Sequence, residues 1–202
     1  GNAVEKRIFE EPEQTIAKEK TVYEDVPLNA IYIAFKICDR LHPDYYASDV
    51  TSDMLSNGTS SRLHQKLVKE EKAFVEIDAY ITSSDDIGMF VVEGKITDGI
   101  ELQKATDLIW AEFKKMKEEK VNESELQKCK NKMLTYMNFS EASLLNRAIS
   151  LAYYELLGNA NLINEEEQQY DAVNAEHIQQ FAQKTFTKER SNTLFYLKKE
   201  SK

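Results

Sequence analysis

Two cysteines among 202 residues, Cys38 and Cys129, are too few for a disulfide framework. They read as free thiols acting as small hydrophobes. No Gly-x-Ser-x-Gly elbow and no activated-cysteine context supports nucleophilic catalysis. Basic charge is in deficit: the formal net charge is −9. That argues against a nucleic-acid backbone as partner, which needs clustered Lys and Arg, and against an anionic membrane surface. No apolar run approaches the roughly 20 residues of a membrane-spanning helix, and no signal-peptide pattern is visible. The chain starts with Gly, and Gly1-Asn2-Ala3 reads as a tag scar or the edge of a longer protein.

What the chain does have is a dense run from Asp53 to Tyr80. A helix ends at Leu55-Ser56, and Asn57-Gly58 closes it, since Asn and Gly tolerate the left-handed conformation of a helix C-terminus. Thr59, Ser60 and Ser61 are N-cap candidates for a second helix. Leu63 and Leu67 give that helix an apolar edge, and it runs out near Glu71. Val75, Ile77, Ala79 and Ile81 then alternate with Glu76, Asp78 and Tyr80, the pattern of a strand with one buried face. Gly58-Thr59-Ser60-Ser61 could offer free N–H groups to a phosphate. It lacks the Gly-Lys-Ser/Thr ending of a phosphate loop, and a helix precedes it. On the residues alone, the stretch is a folding corner.

The rest of the chain reads as follows. Residues 1–17 are a polar lead-in, and 18–200 form one domain with no repeat and no interior linker. Lys18 to Val26 has weak strand character and stops at Pro27. Asn29 to Ile37 is the strongest strand, with Ile31, Ile33, Phe35 and Ile37 on one face and Ala30, Tyr32, Ala34 and Lys36 on the other. His42-Pro43-Asp44 opens a helix whose stripe is Ala47, Val50, Thr51, Met54 and Leu55. A polar turn over 83–88 joins the central strand to a strand from Met89 to Thr97 as a hairpin. One helix follows from Ile100 to Glu119. Another starts at Asn122, with Glu125 completing a capping box, and breaks near Ser140 before stopping at Gly158-Asn159. A short helix covers Leu162 to Tyr170. A helix capped by Asn174 and a strand from Ser191 to Lys198 end the pattern. Antiparallel-leaning strands with segregated helices make the fold class α+β, a largely antiparallel sheet with helices packed on one face. The half-polar second face of the sheet is left for a cavity or a partner.

Leu55-Ser56-x-Gly58-x-Ser60-Ser61-Arg62-Leu63, the helix ending in Lys69-Glu70-Glu71-Lys72 and the strand after it resemble a signature of the M16 zinc metallopeptidases. The similarity is to the C-terminal, non-catalytic half-domain of pitrilysin-like and mitochondrial-processing-peptidase-like members. His42-Pro43-Asp44-Tyr45-Tyr46-Ala47, Val121 to Leu126 and Tyr170 to Asn174 resemble bacterial members in the same order. The resemblance implies that a catalytic half and a degenerate half close into a chamber. It also implies zinc on the other half, held by a His-x-x-Glu-His helix and a later glutamate. Two His four residues apart share a helix face and grip the metal, and the Glu acts on the bound water.

This chain has His42, His64 and His177, none within that motif. The expectation is therefore no catalytic residue, no metal ligand and no peptidase activity in this segment. The family's substrate-holding Arg and Tyr do not carry over. Counting from Ser61-Arg62-Leu63 puts their positions on Val68 and Val75, and a one-residue slip gives Lys69 and Glu76. The substrate-contact candidates are Asn57, Gly58, Ser60, Ser61 and Arg62. Implied partners are a catalytic half-domain in the same or a partner chain, a peptide substrate and a second copy of this chain. Neither nucleic acid nor membrane insertion is expected. A bacterial cell envelope, periplasm and cytoplasm stay open as compartments. The rival reading is a non-enzymatic assembly module with the same fold.

Overall fold

The computed structural model describes residues 12–82 and 86–199. Five strands form one sheet in the order β1-β5-β2-β4-β3. They are β1 (Lys18–Glu24), β2 (Ala30–Ile37), β3 (Phe74–Thr82), β4 (Gly88–Ile96) and β5 (Ser191–Lys198). β2 pairs antiparallel with β4 and β5, and β3 pairs antiparallel with β4. β1 pairs parallel with β5, from Lys18 beside Asn192 to Glu24 beside Lys198. The fold class is α+β, a largely antiparallel sheet with helices on one face. The polar turn expected over 83–88 lies partly outside the described residues, as does most of the 1–17 lead-in. Within the lead-in, Gln14 donates to the carbonyl of Ser191 at 3.0 Å and accepts from Asn192 at 3.0 Å.

β2 alternates as its sequence demands. Ile31, Ile33 and Phe35 are fully buried, and Tyr32, Ala34 and Lys36 are half-buried on the other face. Phe90, Val92 and Ile96 continue the buried face on β4. On β3 the alternation is offset. A bulge between Phe74 and Glu76 turns Phe74 into the core and leaves Val75 exposed. The extra residue re-phases the strand, so Val75 departs from the expected buried face. Gly94 faces the core opposite, where a Cβ would sit 2.6 Å from the Phe74 ring.

The helices are α1 (Asp44–Ser56), α2 (Leu102–Glu118), α3 (Glu123–Glu141), α4 (Leu144–Leu156), α5 (Glu166–Ala172) and α6 (Ala175–Thr185). α1 lays Ala47, Val50, Met54 and Leu55 on the sheet. α2 and α6 bring Phe113 and Phe181 against Phe35, Phe90 and Phe186, with Phe113 and Phe186 stacked at 4.4 Å. Burying such rings supplies much of the core's hydrophobic stabilisation. The Asn122 side chain caps α3 by accepting from Ser124 N at 2.8 Å. The other half of the expected capping box is not made, because Glu125 takes Arg62 instead, at 2.8 and 2.7 Å. The break expected near Ser140 falls at Ala142-Ser143, where Ser143 caps α4. Gly158 ends that run at φ +108°. The single helix expected over Leu162 to Tyr170 is instead a 3₁₀ turn, Ala160–Asn164, followed by α5. Asn159 and Asn161 bond to nearby backbone and side chains there, and such local bonds compete with regular helix.

Candidate functional site

α1 ends at the corner singled out above. Asn57 N–H donates to Asp53 O at 2.9 Å, and Gly58 takes φ +92°, which lets the chain reverse. The helix that follows is a π-helix, His64–Glu70, with Glu71 N–H reaching back to Lys66 O. π-turns concentrate at functional positions. It carries no side-chain cap. The polar residues of the corner are held from α3. Lys132 Nζ donates to Asn57 O at 2.9 Å, Lys128 contacts the Ser60 hydroxyl, and Glu125 grips Arg62. Asn57, Gly58 and Ser60 are exposed, Arg62 is half-buried in its ion pair, and Ser61 is buried with an unpartnered hydroxyl. Of the five, Asn57 also lines the largest cavity described.

That cavity, about 590 Å³, lies between α1, α3, α4 and α5. Asp49 and Asp53, one turn apart on α1, form one wall, and Lys132, Tyr136, Glu166 and Tyr170 face them. Burial pushes the Asp49 carboxyl above the ordinary aspartate range, partly offset by a 2.6 Å bond from the Tyr170 hydroxyl. Burial raises Asp53 as well, against the Asn57 amide and the charge of Lys132. The arrangement offers acceptors and one ammonium to an extended polar chain. Ser140 and Ser150 line the cavity too, and the Cys129 thiol donates to the Asp53 carboxylate. Cys38 and Cys129 stand apart from each other, and burial pushes both thiols up to about 11.

Beneath this cavity Arg40 is buried inside three tyrosines. Its guanidinium carbon sits 4.2 Å from the Tyr45 ring centre and 5.1 Å from that of Tyr46. It donates to Tyr46 and Tyr154 at 3.1 and 2.8 Å and pairs with Glu166 at 2.5 Å. Sequence reading named none of Arg40, Asp49, Asp53, Glu166 and Tyr170 as a site residue; Asp53 and Tyr170 entered only as the end residues of longer stretches. The one usable signal was the pair of aspartates four residues apart, on a helix otherwise read by its apolar stripe.

The three histidines are dispersed. His42 is exposed before α1, beside Asp44. His64 opens the π-helix with its Nε2 buried and unpartnered. His177 lies exposed in the first turn of α6, near Asn174. Among the described residues no group of three His, Cys, Asp or Glu could hold a metal ion. The open face of the sheet carries a shallow hollow around Tyr32, Asp78, Glu93 and Lys95, with Tyr80 donating to Glu93 at 3.3 Å. Among the described residues no helix is long and apolar enough to cross a membrane.

Comparison with known proteins gives this geometry a context. The profile of the family described as the peptidase M16 inactive domain matches residues 2–133. The chain is 25% identical over 158 residues to the uncharacterized zinc protease YmxG of Bacillus subtilis, covering 78% of this chain and 38% of that protein. It superposes on a protease from Helicobacter pylori with a TM-score of 0.90 at 22% identity, over 96% of this chain and 48% of that one. A peptidase M16 inactive domain from Pseudomonas fluorescens superposes with a TM-score of 0.82 at 16% identity, over 100% of this chain and 48% of that one. The chain thus spans less than half the length of each of these relatives.

Proposed function

The chain belongs to the peptidase M16 inactive-domain family, and from that premise we propose that it is the non-catalytic half of a zinc-dependent endopeptidase. The observation that carries the reading is a chain with this family's fold and no His-x-x-Glu-His anywhere in its sequence. Zinc and the attacking water belong on the other half, in the same polypeptide or in a partner chain. This half, residues 18–200 acting as one unit, supplies the opposing chamber wall and part of the grip on the peptide.

The cleft beside the corner supports that role. A peptide backbone in transit needs fixed donors and acceptors on an otherwise apolar wall. Asn57 lines the cleft together with Asp49, Asp53 and Lys132, and Gly58 and Ser60 are exposed on the same corner. Arg62, locked to Glu125, and the buried Ser61 hold the corner from beneath. In this reading the chain binds peptide and leaves the cutting to the other half.

The test combines this chain with the His-x-x-Glu-His half encoded beside or upstream of it. Unstructured peptides should be cut by the pair and by neither half alone. Stoichiometric zinc should accompany only the other half. Tight zinc or peptide hydrolysis in this chain by itself would overturn the reading. A stable pair that cuts nothing would instead identify an assembly module.

A further inference from the structure

α4 is mounted with its apolar side outward. The side turned to the body carries Ser150, which lines the cavity, and Tyr154, the helix's one buried residue. The outer side carries Leu145, Ile149, Ala152 and Leu156, spaced four, three and four residues apart, which is a single helical stripe. Leu145 is 68% exposed, Ile149 59% and Leu156 73%. Leu144 at 83% and Leu151 at 44% flank the stripe, and Tyr136 and Phe139 at the end of α3 are 76% and 77% exposed. At roughly 150 Å² per large side chain, these seven expose on the order of 700 Å² of mostly apolar surface. The largest patch on an ordinary monomer is about 300–600 Å². One side of a stable protein–protein interface needs about 800 Å². Summed over α3 and α4, that exposure exceeds the patch a typical monomer carries and approaches what a partner requires.

We propose that this α3–α4 face is the seat of the catalytic half. The inference rests on the functional reading above and adds the surface to it. Two observations select that occupant. The Helicobacter pylori and Pseudomonas fluorescens chains that contain this fold each continue for about as much chain again. A lobe of matching size therefore accompanies the fold there. A second copy of this chain fits less well, because each copy brings a net charge of −9 and like charge opposes self-association. The partner must offer an apolar, weakly charged face, since Arg147 and Glu155 are the only charged side chains on α4.

The experiment has two arms. Ile149→Cys is labelled with a water-soluble maleimide in this chain alone and in its assembly with the catalytic half, joined or added. Labelling should slow by about tenfold or more in the assembly, as burial in an interface core implies. The double variant Leu145→Asp, Ile149→Asp should keep the circular dichroism of the parent and weaken pairing by about 30-fold or more, the loss of an interface anchor. Tyr23→Asp, an equally exposed change on β1, should pair as the parent does. If the parent pairs but the double variant pairs equally well, or labelling is unchanged, the α3–α4 face is not the seat and the functional reading survives. If the parent pairs with no catalytic half, both fall. If the double variant instead dissolves a dimer of this chain, the occupant is a second copy and the proposal is overturned.

Discussion

Replacing Arg40 with Ala should be among the costliest single changes in this chain. Its side chain is 6% exposed and its partner Glu166 18% exposed. Removing one member of a buried ion pair leaves the other charged and unpaired, at about 3–5 kcal/mol. The stacked tyrosine contacts are lost in the same step and are already counted within that range. For a chain of this size each kcal/mol moves Tm by about 2–4 °C, so a drop of roughly 6–20 °C is expected. Urea unfolding at pH 7, followed by circular dichroism and the fluorescence of Trp110, measures it. Trp110 is the only tryptophan and packs on Phe35 at 6.0 Å. Arg40→Ala combined with Glu166→Gln should recover part of the loss, because the stranded carboxylate is gone. Arg40→Lys should stay well below the parent, since an ammonium cannot serve Tyr46, Tyr154 and Glu166 as a planar fork does. Tyr154 is also the buried anchor of α4, so amide exchange over 144–156 should rise most in Arg40→Ala. A loss below about 1 kcal/mol, or exchange rising evenly over the chain, would refute the argument, because an exposed pair behaves that way.

Gly94→Ala should cost about 1–3 kcal/mol, the range for overpacking, because its Cβ would meet the buried Phe74 ring at 2.6 Å; Phe74→Leu in the same chain should recover part of it in urea titrations. Asp49→Asn should stabilise the chain at pH 7 while keeping an acceptor for Tyr170. The folded state raises the Asp49 pKa, so the folded carboxyl holds its proton more tightly than the unfolded one, and ionisation lowers stability as pH climbs past the unfolded value of about 3.9. The gain should therefore shrink as pH falls through that range, and a gain that is flat between pH 4 and 7 would contradict it. Cys38 and Cys129, with thiols pushed up to about 11, should react slowly with thiol reagents at pH 8 in the folded chain and fast in urea, where the ordinary value is about 8.5.

What the sequence made legible was local. The Asn122 and Asn174 caps, the Gly58 and Gly158 stops and the alternation of β2 each depend on a few neighbouring residues, and each is in place. What it hid was decided at a distance. Glu125 reads as a capping-box residue until Arg62, 63 positions away, claims its carboxylate. Val75 reads as core until β4 imposes a bulge. The parallel pairing of β1 with β5 has no signature in either strand. The cavity follows the same logic: Asp49, Glu166 and Tyr170 come together only once α1 and α5 pack. The Ser61 and Arg62 candidates turned inward because α3 crosses the corner, a crossing that no residue of the corner announces.

β5 lies between β1 and β2, yet ribosomes deliver it after every other element. Until those eight residues emerge, β2 keeps a bare edge and β1 has no neighbour to pair with. Helices α1 to α6 can nucleate early, whereas the sheet's middle waits for closure across some of the widest sequence separations the fold contains. Such topology slows acquisition of the native state and leaves an adhesive strand border on the nascent chain. Truncation within 191–198 should therefore yield aggregation rather than a smaller soluble fragment.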